Sequence, residues 1–247
     1  MTILAWQQAG APGGQAVVLV HSWARDARVD WQETGCVGAL ERAGLWVLAP
    51  DLPGHAESAD VLIPPDAEPV SWASSALLAD LDRLRVGRLS VAGFADGCMT
   101  AGSLALRAGE RLSRLVLIGC DDSAGIAHAA EIAGALRDPS ARLWNPDSAE
   151  VVSRARADRR HHLPTLADWA ERAAWPAAAR LGAVPVPVLL AVGADDPHRV
   201  RAPRLAQLFR DARLVTVPGD HRGALSAPEL MSQVSGFLKQ ADAPSGG

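Results

Sequence analysis

Seven short apolar runs punctuate the chain: ILAWQQ (3–8), AVVLV (16–20), LWVLA (45–49), RLSVAG (88–93), RLVLIG (114–119), VPVLLAVG (186–193) and RLVTVP (213–218). Several are continuously apolar rather than alternating, the pattern of strands covered on both faces. Between them, apolar positions recur at helical spacing over roughly 29–43, 71–85, 96–108, 200–210 and 226–240. Alternating strand and helix predicts an α/β fold with a mostly parallel, doubly wound sheet. Only AGAPGGQ separates the first two runs, too short for a crossover helix, so they are expected to pair as an antiparallel hairpin at one edge. Residues 123–182 break the rhythm, with no strand pattern, several helical stretches, and Trp144, Trp169 and Trp175. That segment is expected to form a small helical cap on a core built from 1–122 and 183–240. The closing ADAPSGG (241–247) reads as a disordered tail.

Composition narrows the setting. With 247 residues, 49% of them apolar, the chain can build one large domain or at most two small ones. A net charge of −4 with interspersed charges predicts neither a nucleic-acid partner nor a membrane-surface patch. Cys36, Cys98 and Cys120 form an odd set without CxxC spacing, which argues against a disulfide framework or zinc knuckle. Reduced thiols, the absence of a signal-peptide pattern and the lack of a roughly 20-residue apolar run predict a cytoplasmic protein away from membranes. Nothing here fixes an oligomeric state.

The reactive side chains fall just beyond the carboxyl ends of the expected strands. His21-Ser22-Trp23 follows the second run, "DLPGHAES" (51–58) the third, and "GFADG" (93–97) the fourth. Asp121 and Asp122 follow the fifth, Asp195 and Asp196 the sixth, and "GDH" with His221 the seventh. Ligands in open α/β sheets bind at that edge, so a common site is expected there.

This ordered set resembles the α/β-hydrolase superfamily of serine esterases, lipases and thioesterases over nearly the whole chain. "VVLVHSW" resembles its oxyanion loop, "GFADG" its G-x-S-x-G turn, "VGADDP" its acid loop and "PGDH" its histidine turn. The resemblance implies a nucleophile position at 95, an acid at Asp196 and a base at His221, without metal or cofactor. It further implies oxyanion donors from the Asp96 amide and that of Trp23 or Ser22. Asp196 is preferred to Asp195 because it lies three residues beyond Gly193; Asp121 and Asp122 hold a second possible acid position. The cap tryptophans, Trp144, Trp169 and Trp175, are weak candidates for substrate contact. His21 is expected to bond locally, His55 to belong to a turn built for backbone shape, Cys98 to pack, and His161-His162 to lie on a solvated helix face.

One residue departs from the pattern: the third place of the turn holds Ala95, which has no hydroxyl. An otherwise complete set favours a serine-type hydrolase of carboxylic esters or related acyl bonds, acting on a small acyl substrate, with alanine put in place of its nucleophile and hence inactive. Two alternatives stay open. Alanine is natural in a ligand-binding pseudoenzyme, or natural in a lyase or other catalyst in which His221 acts directly on substrate or water.

Overall fold

The computed structural model describes residues 3–123 and 125–240, so the tail expected at 241–247 lies outside the described residues. The strands are β1 (Trp6–Ala9), β2 (Ala16–Val20), β3 (Trp46–Pro50), β4 (Leu89–Phe94), β5 (Leu112–Ile118), β6 (Val188–Gly193) and β7 (Ala212–Val217). They form one sheet in the order β1-β3-β2-β4-β5-β6-β7. All neighbours are parallel except β1 and β3. This is the mostly parallel, helix-flanked sheet that the apolar pattern predicts.

The expected hairpin does not form. β3 inserts between the first two strands, and β1 pairs antiparallel with it, Trp6 opposite Pro50 and Ala9 opposite Val47. The intervening loop need only cross two strand spacings, about 10 Å, well within six residues. It is held against the start of β3, where the Trp46 N–H donates to Gln15 O and a Cβ on Gly10 would lie 2.3 Å from Leu45 O.

Helices cover both faces. α1 (Cys36–Arg42), α2 (Pro69–Arg83) and α3 (Gly97–Ala108) precede β5, and α4 (Ala129–Arg137), α5 (Pro146–Ala157), α6 (Leu163–Arg172) and α7 (Ala178–Leu181) lie between β5 and β6. α8 (Ala202–Ala206) and α9 (Pro228–Leu238) complete the set among the described residues. The helix expected over 29–43 is broken: one wide turn at Arg28–Gln32 ends, Gly35 turns left-handed at φ 83°, and α1 starts afresh. None of these helices is long and apolar enough to cross a membrane.

The continuous apolar strands are explained by two cores. Val18, Val20, Val91, Leu115 and Leu117 pack on one face with α2, α3 and the helices inserted before β6. Val17, Leu19, Ala92, Val116 and Ile118 pack on the other with α1 and α9. Polar ties fasten the inserted helices to the core loops. His162 N–H donates to Gly54 O at 2.9 Å, and Trp23 Nε1–H to Leu166 O at 3.1 Å. Arg160 reaches the buried Asp26 carboxylate at 2.5 Å. Gly54 is required at this seam, because a Cβ there would come within 2.6 Å of the Thr165 side chain.

Candidate active site

The turn between β4 and α3 is shaped by close approach. A Cβ on Gly97 would lie 2.3 Å from His21 O, and one on Gly93 would lie 2.8 Å from both Cys98 Cα and the Ala101 methyl. Only hydrogen fits at either place. Between them Ala95 is forced to φ 48°, a left-handed conformation that costs a non-glycine residue about 1–2 kcal/mol. Its N–H is held by Ile118 O at 2.9 Å. Asp96 then stands at the start of α3 with no capping bond from its side chain, and the residue lines a cavity.

The loop after β6 brings Asp196 to His221, Nδ1 donating to Oδ2 at 2.9 Å. The other oxygen of Asp196 accepts the His198 N–H, also at 2.9 Å. Burial alone would raise the Asp196 carboxyl, but the bonds from His221 and the His198 amide outweigh it and hold it below the usual carboxylate range. The His221 ring stacks on Phe94, centroids 5.0 Å apart, and stays about one-third exposed.

A second pair lies alongside. His198 Nδ1 donates to Asp121 Oδ2 at 3.0 Å, and the Ser123 N–H donates to Asp121 Oδ1 at 2.8 Å. Burial again pushes the Asp121 carboxyl up, and the bonds from Ser123 and His198 more than offset it. The His198 and His221 rings are 5.1 Å apart. Both border a cavity of about 80 Å³ that also touches Ala95, Asp96, Met99 and Trp175. An adjoining cavity of about 240 Å³ shares Asp96 and His198 and continues to Trp23, Ile132, Val151 and Arg154. Asp96 behaves unlike the other two acids: burial raises its carboxyl, and the nearby His198, His221 and Arg154 charges only partly oppose this.

The remaining sequence candidates separate. Trp23 borders the larger cavity, whereas both the N–H and Oγ of Ser22 are committed to Asp30 Oδ2, at 2.8 and 2.7 Å. That removes the Ser22 amide from the pool of oxyanion donors. Asp195 is exposed, with its N–H on Gly219 O, and Asp122 pairs with Arg201 at 2.8 Å. Of the three tryptophans only Trp175 borders either of these two cavities. Trp144 is 80% exposed, its backbone held outside by Glu131, and Trp169 is spent in the core with its ring against His55.

Two results lie outside what the sequence suggested. His161 does not lie on a solvated helix face: it is buried, and its Nδ1 accepts the Ala56 N–H at 3.2 Å. The His198–Asp121 pair was missed altogether. Its signal was present, a histidine two places beyond Asp196 and an aspartate at the second acid position, but sequence distance hid the contact. Donor atoms of Asp196, His198 and His221 lie within 4.8 Å of one another, a set suited to an ion such as zinc. Within that set His221 Nδ1 is joined to Asp196 Oδ2, while His198 Nδ1 is held by Asp121 Oδ2.

Residues 17–234 match the alpha/beta hydrolase family, and the chain belongs to it. Among curated proteins, the dihydrolipoyllysine-residue acetyltransferase component of the acetoin cleaving system from Pseudomonas putida is 35% identical over 127 residues. That match covers 51% of this chain and 32% of that protein, so this chain spans only about a third of its relative. A hydrolase from Pseudomonas aeruginosa PA01 superposes with a TM-score of 0.74 at 24% identity, covering 96% of this chain and 94% of the other. The enol-lactonase from Burkholderia xenovorans LB400 does so with a TM-score of 0.73 at 21% identity, covering 96% of each. These likenesses establish the fold.

Proposed function

We propose that the chain is a serine-type acyl hydrolase in architecture, with residues 123–182 as its cap, whose covalent step is disabled by Ala95. Its ligand is a small carboxylic ester or related acyl compound held between the cap and the carboxyl edge of the sheet. The observation that carries this reading is the Asp196–His221 hydrogen bond at 2.9 Å beside a cavity that also touches Ala95.

With a hydroxyl at position 95, the chemistry follows from the neighbours. His221 Nδ1–H is fixed on Asp196, which leaves Nε2 as the base. It takes the hydroxyl proton as the oxygen attacks the acyl carbon, then gives that proton to the departing alcohol. The Trp23 and Asp96 amides hold the developing oxyanion, and water activated by His221 releases the acid. Ala95 offers no oxygen for the first step. A serine-type site that loses its nucleophile keeps a residual rate of roughly 10³–10⁴ over water.

Ala95→Ser tests the reading against p-nitrophenyl esters and thioesters. The expected result is a burst of p-nitrophenol or thiol with an acyl adduct on residue 95 in intact-protein mass spectra, and no adduct on the Ala95 chain. Silence of the serine variant across both substrate types overturns the proposal.

A further inference from the structure

One half of the cavity's acid–base equipment has no part in serine-type hydrolysis. The His198–Asp121 pair repeats the arrangement of His221 and Asp196: a carboxylate with no more than a few per cent exposure accepts from Nδ1 of a partly exposed imidazole. In both rings this bond fixes the tautomer and leaves Nε2 as the basic nitrogen. Both rings border the same cavity as the Ala95 methyl, and its volume of about 80 Å³ exceeds what one water requires.

We propose that His198 is a second general base, which activates water for direct attack on a bound acyl carbon while His221 serves as the acid. This rests on the cavity being the acyl site argued above. His198 Nε2 takes one proton from water as the water oxygen bonds to the carbonyl carbon. The tetrahedral anion collapses, the bond to the leaving oxygen breaks, and protonated His221 supplies the proton that oxygen needs. His198 then returns its proton to solvent and His221 takes one up, so charge and protons balance over the cycle. No acyl-enzyme forms, and no hydroxyl at 95 is needed.

The surroundings support that division of labour. Of the two rings, His198 borders both cavities. His221 borders the smaller one and is stacked on Phe94. Asp96 borders both cavities as well, and burial raises its carboxyl from the ordinary value.

The test is steady-state hydrolysis of p-nitrophenyl butyrate by the chain with Ala95. Turnover above buffer is expected, linear from the first moment and without a protein adduct. His198→Ala is expected to lower kcat about 10²-fold, and added imidazole to restore a measurable part of it. Should His198→Ala fail to fold, His198→Gln keeps a donor for Asp121 but has no basic nitrogen, and the same loss of kcat is expected. No turnover by the Ala95 chain, or turnover indifferent to these variants, overturns the inference; so does a loss that imidazole cannot repair while His198→Gln retains full activity. Failure of Ala95→Ser to form an adduct strikes the hydrolase reading itself. An adduct on that variant, with no His198-dependent turnover in the Ala95 chain, strikes only the present proposal.

Discussion

Two groups of histidines occupy neighbouring parts of this molecule and are wired in opposite ways. His21, His55 and His161 are buried and meet in T-shaped contacts, with centroids 5.1 and 5.4 Å apart along the series. Each accepts a backbone N–H: Leu52 on His21, Ala24 on His55 and Ala56 on His161. His21 and His55 also donate to backbone oxygens of Ser22 and Pro53. Rings used this way must be neutral, and they serve as struts between loops. His198 and His221 instead rest their inner nitrogens on carboxylates and border a cavity. The same side chain thus serves as structure when peptide groups satisfy both its nitrogens, and keeps one nitrogen free when an acid holds the other.

The comparison is broken most severely at His55. His55→Ala orphans the Ala24 N–H and the Pro53 oxygen and hollows the packing against Trp169, so a loss of about 3 kcal/mol is expected in denaturant unfolding. His221→Ala, partly exposed, is expected to cost less than about 1 kcal/mol. Equal losses from the two would erase the distinction.

Acid should reveal the same contrast more gently. Burial lowers His55 well below its ordinary value and lowers His161 as well, so both bind protons more readily unfolded than folded. Their contribution to stability is complete above the unfolded value of about 6.5 and is lost as pH falls below it. Asp121 and Asp196 are lowered carboxylates, whose contributions fade only below the ordinary carboxylate value of about 3.9. Tm should therefore drop between pH 7 and pH 5, and that slope should flatten in His161→Gln. The smallest expected effect lies at the base of the open site: Ala95→Gly relieves the left-handed strain and should raise stability by about 1 kcal/mol, seen as a Tm higher by a few degrees.

What the chain disclosed in advance divides along physical lines. The strands at 16–20, 114–119 and 186–193 were legible because burial on both faces demands unbroken apolar runs. The Asp196–His221 contact was legible because it follows strand ends in a fixed order. The β1–β3 pairing was not, since a short glycine-containing loop suits a hairpin and a step over one strand equally well. His161 escaped for a related reason: an arginine-rich neighbourhood signals solvent, while the burial of one imidazole depends on a loop more than 100 positions away. Trp144 and Trp169 show that a large apolar side chain in an inserted segment tells nothing of which way it faces.

The glycines flanking Ala95 give the turn a permanence that owes nothing to catalysis. Because β2 and α3 meet there almost backbone to backbone, the bend is enforced by packing, and the residue at its apex is a socket rather than a hinge. Whatever small side chain is plugged in inherits the same exposure and the same imidazole neighbours. Reactivity at this point can be gained, lost or exchanged without asking the scaffold to refold.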